Sequence, residues 1–233
     1  MQHKAWVAGA TGFVGQAVVA ELLRLGVTTV AHVRPDSREL ETWRERFGQQ
    51  GAVVDATPWE PDGLASALQA HGITHVFCLI GTTRARKQLA SQPAAETYEA
   101  IDYGLTRMLA QAVKQAGGVQ RLVYLSSMGV SATAPGAYMQ ARWKAETAVR
   151  ESGVPWTLAR PAIITGNRQE RRVGEHVAAV VSDGLLAALA LLGAKAARER
   201  YRSTTDLVLG RALVRLAFDP QAAVTVQESE CLR

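Results

Sequence analysis

The stretch WVAGATGFVG, residues 6–15, constrains the fold more tightly than any other part of the chain. Apolar residues run straight into Gly9, Gly12 and Gly15, and a helical pattern follows at once. The first glycine permits a sharp turn, the second lets the backbone approach a pyrophosphate, and the third allows a helix to pack closely on the strand. A helix opened this way turns N–H groups and a favourable dipole toward a phosphate. The strand–turn–helix context is what separates the motif from a glycine-rich turn that binds nothing.

The pattern continues along the chain. Apolar runs at Ala5–Ala8, Thr28–Val33, Ala52–Val54, His75–Ile80, Leu122–Leu125 and Trp156–Ala159 read as strands. Between them, apolar residues recur three and four apart near 15–26, 37–48, 62–71, 94–116 and 136–152, which predicts helices. Gly26, Gly72, Gly117 and Gly153 each stand where a helix should stop. Strands and helices in alternation imply parallel pairing through right-handed crossovers. The expected fold is therefore α/β, a Rossmann-type doubly wound parallel sheet with a small C-terminal substrate-side lobe. A single NAD(P)-binding domain is expected over residues 1–233, with 1–164 as cofactor-binding core and 165–233 as the lobe. In the lobe, STTDLVLGRALVRLAF (203–218) reads as a capped amphipathic helix and AAVTVQ (222–227) as an edge strand.

Composition narrows the function classes. The net charge of +5 favours anionic ligands, but the arginines are spread along the chain. No zinc-finger, basic-zipper or RNA-recognition pattern is present, so a direct nucleic-acid role is not expected. Cys78 and Cys231 give no disulfide framework, and His3, His32, His71, His75 and His176 have no metal-ligand spacing, so no metal is expected. The first strand starts too early to leave room for a signal peptide. The apolar stretch 176–195 is broken by Asp183, Gly184 and Gly193, which reads as buried or interface helices rather than a membrane span. A cytoplasmic protein with a small-molecule substrate is expected, and a homo-oligomer stays open.

Further positions suggest which dinucleotide binds. Arg34 ends the second strand, where NAD-preferring sites place an acidic residue; a guanidinium there suits a 2′-phosphate. NADP(H) is thus favoured, with NAD(H) as the alternative and a plain surface charge as the bland reading of Arg34. Asp36 suits a helix cap. Asp55 follows the third strand, as a contact to the adenine amino group or as a turn residue. Ile80, Gly81 and Thr82 reach the carboxyl edge of the sheet, where ligands of open α/β folds gather.

Taken together, GATGFVG, CLIGTTR, IDYGLTRMLAQAVKQAGG, RLVYLSSMG, YMQAR, SGVPWTLARPAIITG and NRQERRVGE carry a resemblance. The chain resembles the atypical short-chain dehydrogenase/reductases, in the branch of the Tat-interacting oxidoreductase-like proteins and bacterial nucleoside-diphosphate-sugar epimerase-like relatives. The resemblance implies a nicotinamide cofactor on the glycine loop (Gly9, Thr11, Gly12, Phe13, Val14, Gly15). It also implies cofactor contacts from Ser126, from Pro161, Ala162 and Ile163 after the sixth strand, and from Arg168. In that family a Tyr moves the proton, a Ser orients the substrate oxygen, and a Lys four residues after the Tyr binds the nicotinamide ribose.

Here Tyr138 stands at the Tyr position and Ser127 at the Ser position. Arg142 replaces the Lys, which makes it both ribose clamp and electrostatic partner of Tyr138. Residues i and i+4 share a helix face, so Arg142 keeps a cation beside the Tyr, although a guanidinium is a poor proton relay. Lys144, at i+6, should point elsewhere. Asp102 reads as a structural polar contact near the site. The implied activity is an NADP(H)-dependent oxidoreductase acting on a small carbonyl or alcohol. The alternatives are an NADP(H)-binding regulatory or scaffold protein with little turnover and, third, a nucleotide-sugar epimerase-like enzyme.

Overall fold

The computed structural model describes residues 3–82, 97–165 and 203–233. Seven parallel strands form one sheet: β1 (Lys4–Ala8), β2 (Thr28–His32), β3 (Val53–Asp55), β4 (His75–Cys78), β5 (Arg121–Leu125), β6 (Trp156–Arg160) and β9 (Thr225–Glu228). Their order is β3-β2-β1-β4-β5-β6-β9. The two-residue strands β7 (Ile164–Thr165) and β8 (Thr204–Thr205) pair separately. The order reverses direction between β1 and β4, and that switch point opens a crevice at the carboxyl edge.

The strands β1, β4 and β5 are buried almost throughout, as a parallel sheet covered on both faces requires. One core holds α1 (Phe13–Arg24), Phe47 of α2 (Leu40–Gln50) and α6 (Asp206–Phe218). The other holds α3 (Pro61–His71), α4 (Thr106–Ala116) and α5 (Ala137–Arg150). The predicted stop glycines Gly26, Gly72, Gly117 and Gly153 all take positive φ just past a helix. Thr205 caps α6 by accepting from the Val208 N–H at 3.2 Å, and residues 225–228 supply the expected edge strand beside β6.

Two local expectations change. The helix predicted from residue 94 begins as a π-helical segment, Glu99–Leu105, that runs straight into α4. Such wide turns cluster at functional sites because they re-aim side chains. Asp36 caps no helix: α2 starts four residues later, and Asp36 instead lies 3.4 Å from Arg34. The expected lobe falls largely on residues 166–202, which are outside the described residues, as are Arg168 and the apolar stretch 176–195. No helix among the described residues is long and apolar enough to cross a membrane.

Candidate active site

The glycine loop is built as the sequence requires. Gly9 has φ +84°, and a Cβ there would stand 2.7 Å from the Leu79 carbonyl oxygen. A Cβ on Gly15 would collide with the Gly9 oxygen and the Ala10 backbone, so α1 starts tightly against β1. Gly12 precedes the first residue of α1 and supplies no side-chain cap. The loop and this helix start therefore fit a dinucleotide pyrophosphate: close backbone, small residues and a helix N-terminus at the switch point.

Just past the end of β2, Arg34 keeps a half-exposed side chain that, among the described residues, makes one long ion pair with Asp36. Asp55, after β3, uses both carboxylate oxygens within the protein. Oδ1 accepts from the Thr57 N–H at 2.7 Å, and Oδ2 lies 3.3 Å from His71 Nε2. The turn reading of Asp55 thus has explicit geometry.

The helix α5 carries the remaining chemistry. Tyr138 is its second residue and is half-buried, with its ring 5.2 Å from that of Tyr98 in an edge-on arrangement. One turn on, the Arg142 guanidinium carbon lies 5.3 Å from the Tyr138 ring centre. Arg142 itself is only 7% exposed. Its Nη1 points at three acceptors, the Leu125 carbonyl (2.8 Å), the Tyr124 hydroxyl (2.9 Å) and the Ile80 carbonyl (3.3 Å). Its Nη2 sits 3.0 Å from Asp102 Oδ1, an ion pair without aligned hydrogen-bond geometry.

Burial works against this charge, but Tyr124, Tyr138 and Asp102 outweigh it and hold the Arg142 pKa above its ordinary value. Burial pushes the Tyr124 phenol upward, so it stays a neutral hydroxyl. Lys144, by contrast, is exposed, 2.7 Å from Glu99 and turned over the Tyr103 ring.

A second buried network lies one turn further along α5. Glu146 is fully buried. Arg160 grips it with Nε (2.9 Å) and Nη2 (2.7 Å), and Arg150 adds a contact at 3.0 Å. The Ser126 hydroxyl donates to Glu146 Oε1 at 2.6 Å, which turns it into the interior. Ser127 is half-buried directly after β5. Pro161 is buried and accepts from the Met128 N–H at 3.0 Å, whereas Ile163 is exposed.

Sequence reasoning did not find Glu146 or Tyr124. A signal existed: Arg142 and Glu146 share a face of α5 with the buried Ala141, Ala145 and Val149. Two charges one turn apart on an apolar stripe imply buried partners. A groove of about 450 Å³ between α4 and α5 is lined by Tyr103, Arg107, Lys114 and Trp143 among others. It holds none of the expected site residues and is separate from the chemistry at the sheet edge.

A family model described as NAD(P)H-binding matches residues 9–185. The chain belongs to the NAD(P)H-binding family. That family and the fold of its epimerase- and reductase-like structural neighbours are consistent with the resemblance to the atypical short-chain dehydrogenase/reductases. The mitochondrial protein FMP52 of Candida albicans is 28% identical over 188 residues, which cover 76% of this chain and 75% of that protein. The mitochondrial NADH dehydrogenase (ubiquinone) 1 alpha subcomplex subunit 9 of Arabidopsis thaliana is 27% identical over 164 residues, 70% of this chain but 38% of that protein. Among solved structures, yeast methylglyoxal/isovaleraldehyde reductase, complexed with NADPH, superposes with a TM-score of 0.65. It is 15% identical, with 97% of this chain and 78% of that one covered, and so shows the shared fold.

These relatives correct one expectation. The two sequence relatives are named as mitochondrial proteins, which points away from the expected cytoplasmic location. The expectation had no positive targeting signal behind it.

Proposed function

We propose that the protein is an NADP(H)-dependent oxidoreductase that reduces a small carbonyl compound or oxidises the corresponding alcohol. The observation that carries this reading is the Tyr138–Arg142 pair, one helical turn apart with the cation 5.3 Å from the ring, at the carboxyl edge of a nicotinamide-binding sheet. When bound, the reduced nicotinamide supplies a hydride for the substrate carbon. Tyr138 donates the proton from Oη to the substrate oxygen. Ser127 donates a hydrogen bond that orients that oxygen. Arg142 places a permanent positive charge against the negative charge left on the Tyr138 oxygen. Arg34 supports the preference for a 2′-phosphate, because its head is half-exposed and its ion pair among the described residues is a long contact at 3.4 Å.

The test has two arms. Titration with NADPH and NADH, followed by nicotinamide fluorescence, should show tighter NADPH binding in the wild type, and Arg34→Ala should erase the difference. Screening aldehydes, ketones and quinones for NADPH consumption should reveal a substrate whose turnover falls about a hundredfold or more in Tyr138→Phe. One observation favours a second reading, a cofactor-binding regulatory protein: both terminal nitrogens of Arg142 face protein partners instead of an open ribose site. Tight NADPH binding without turnover across the panel is the outcome that supports it.

A further inference from the structure

We propose that Asp102 is a positioning residue for the cofactor, and that it acts through Arg142 and Thr82 on the edge where β4 and β5 diverge. The inference rests on the reading that a nicotinamide cofactor lies across that edge.

The β4–β5 ladder ends at the Cys78–Tyr124 pair. Beyond it the two chains separate, and the ladder no longer brings N–H donors of one chain to the carbonyls of the other. Arg142 fills the gap. Its Nη1 reaches the Ile80 carbonyl on one side and the Leu125 carbonyl on the other, with the Tyr124 hydroxyl between. A lysine would bring a single point charge to this position, and one ammonium lacks the planar fork that spans two chains and a carboxylate together.

Asp102 holds both this fork and the next stretch of backbone. It is fully buried on the π-helical segment. Oδ1 faces Arg142 Nη2 at 3.0 Å. Oδ2 accepts from the Thr82 N–H at 3.2 Å and from the Thr82 hydroxyl at 2.5 Å. The peptide Ile80–Gly81–Thr82 is therefore gripped at both ends by one ion pair.

Gly81 shows how tightly the fork is seated. A Cβ on Gly81 would stand 2.7 Å from Arg142 Nη2 and 3.8 Å from its central carbon. The end of a free arginine would swing aside. This one is held by Asp102 and three further acceptors and is itself buried. The charge is also permanent, since an arginine does not release its proton in the working pH range. The edge is thus held by a pair whose cationic member stays charged.

The test measures NADPH affinity by nicotinamide fluorescence in wild type, Asp102→Asn, Gly81→Ala, Arg142→Lys and the double variant Gly81→Ala/Arg142→Lys. Far-UV circular dichroism confirms the fold of each. Asp102→Asn and Gly81→Ala should each weaken NADPH binding about tenfold or more. In the double variant the shorter Lys side chain vacates the space that the methyl group introduced by Gly81→Ala needs, so it should bind NADPH more tightly than Gly81→Ala alone. Should Asp102→Asn fail to fold, Thr82→Val carries the test, because it leaves the ion pair intact and removes only the hydroxyl donor; it should weaken binding by about threefold or more. Asp102→Asn or Gly81→Ala proteins that fold and bind within about twofold of wild type overturn the proposal, as do penalties that merely add in the double variant. Wild-type protein that binds neither NADPH nor NADH instead overturns the functional reading beneath it.

Discussion

Arg142 Nη2 and Asp102 Oδ1 lie 3.0 Å apart in the interior, where the family resemblance implies a lysine in place of Arg142. Losing one member strands the other's charge away from water. Asp102→Ala should therefore cost about 3–5 kcal/mol of stability. Arg142→Met in the same chain should cost less than the sum of the two single losses, because no lone charge remains. Urea unfolding of the two single variants and the double variant measures this directly.

Glu146 presents the same physics with more partners. Arg160, Arg150 and Ser126 all converge on its carboxylate. Glu146→Gln should cost about 3 kcal/mol or more, since Arg160 then stays half-buried without its main counter-charge. Ser126→Ala removes one hydrogen bond to a charged group and should cost about 1.5–3 kcal/mol. The ranking Glu146→Gln above Ser126→Ala in denaturant midpoint shift is the expected outcome.

His75 predicts a pH dependence. Burial, with smaller contributions from His3 and Arg121, lowers its pKa to about 4. A histidine depressed in the folded state binds its proton more readily when unfolded. The stability it contributes is full above the unfolded value near 6.5, and is lost as pH falls from there toward 4. The loss should reach at most about 3 kcal/mol. His75→Phe should flatten the slope between pH 6.5 and 4, leaving the part due to His32, which burial lowers in the same direction. Unfolding free energies across that window check both sign and size.

At the glycine loop, Gly9→Ala combines a positive φ with a clash against the Leu79 carbonyl. It should lose more than about 1 kcal/mol of stability. Gly15→Ala forces α1 away from β1 and should weaken NADPH binding more than it lowers the melting temperature, because the helix start is displaced at the pyrophosphate. Paired melting and fluorescence titrations separate the two effects.

The fold was legible in the sequence because its signals are local. Short apolar runs, period-3.6 patterns, stop glycines and the glycine loop each occupy a few consecutive residues. The π-helical start before α4 was not legible, since Glu99–Leu105 reads as ordinary helix until packing sets its width. At the site, the register that puts Arg142 after Tyr138 was readable. Its partners were not: Ile80, Asp102, Tyr124 and Leu125 come from three chain segments that only the sheet order brings together. Ser126 and Asp55 show the same limit. Both stand at strand ends, as cofactor contacts should, and both turn their polar atoms to protein partners that spacing alone does not reveal.

The central claim is hydride transfer at this edge with Tyr138 as proton donor. It is tested most directly with NADPH deuterated at the transferring carbon and a carbonyl substrate from the panel, the alcohol product being read by NMR. The account predicts one deuterium on the former carbonyl carbon, and a turnover reduced about a hundredfold or more in Tyr138→Phe with NADPH affinity kept. Product without deuterium, or unchanged turnover in Tyr138→Phe, would contradict it.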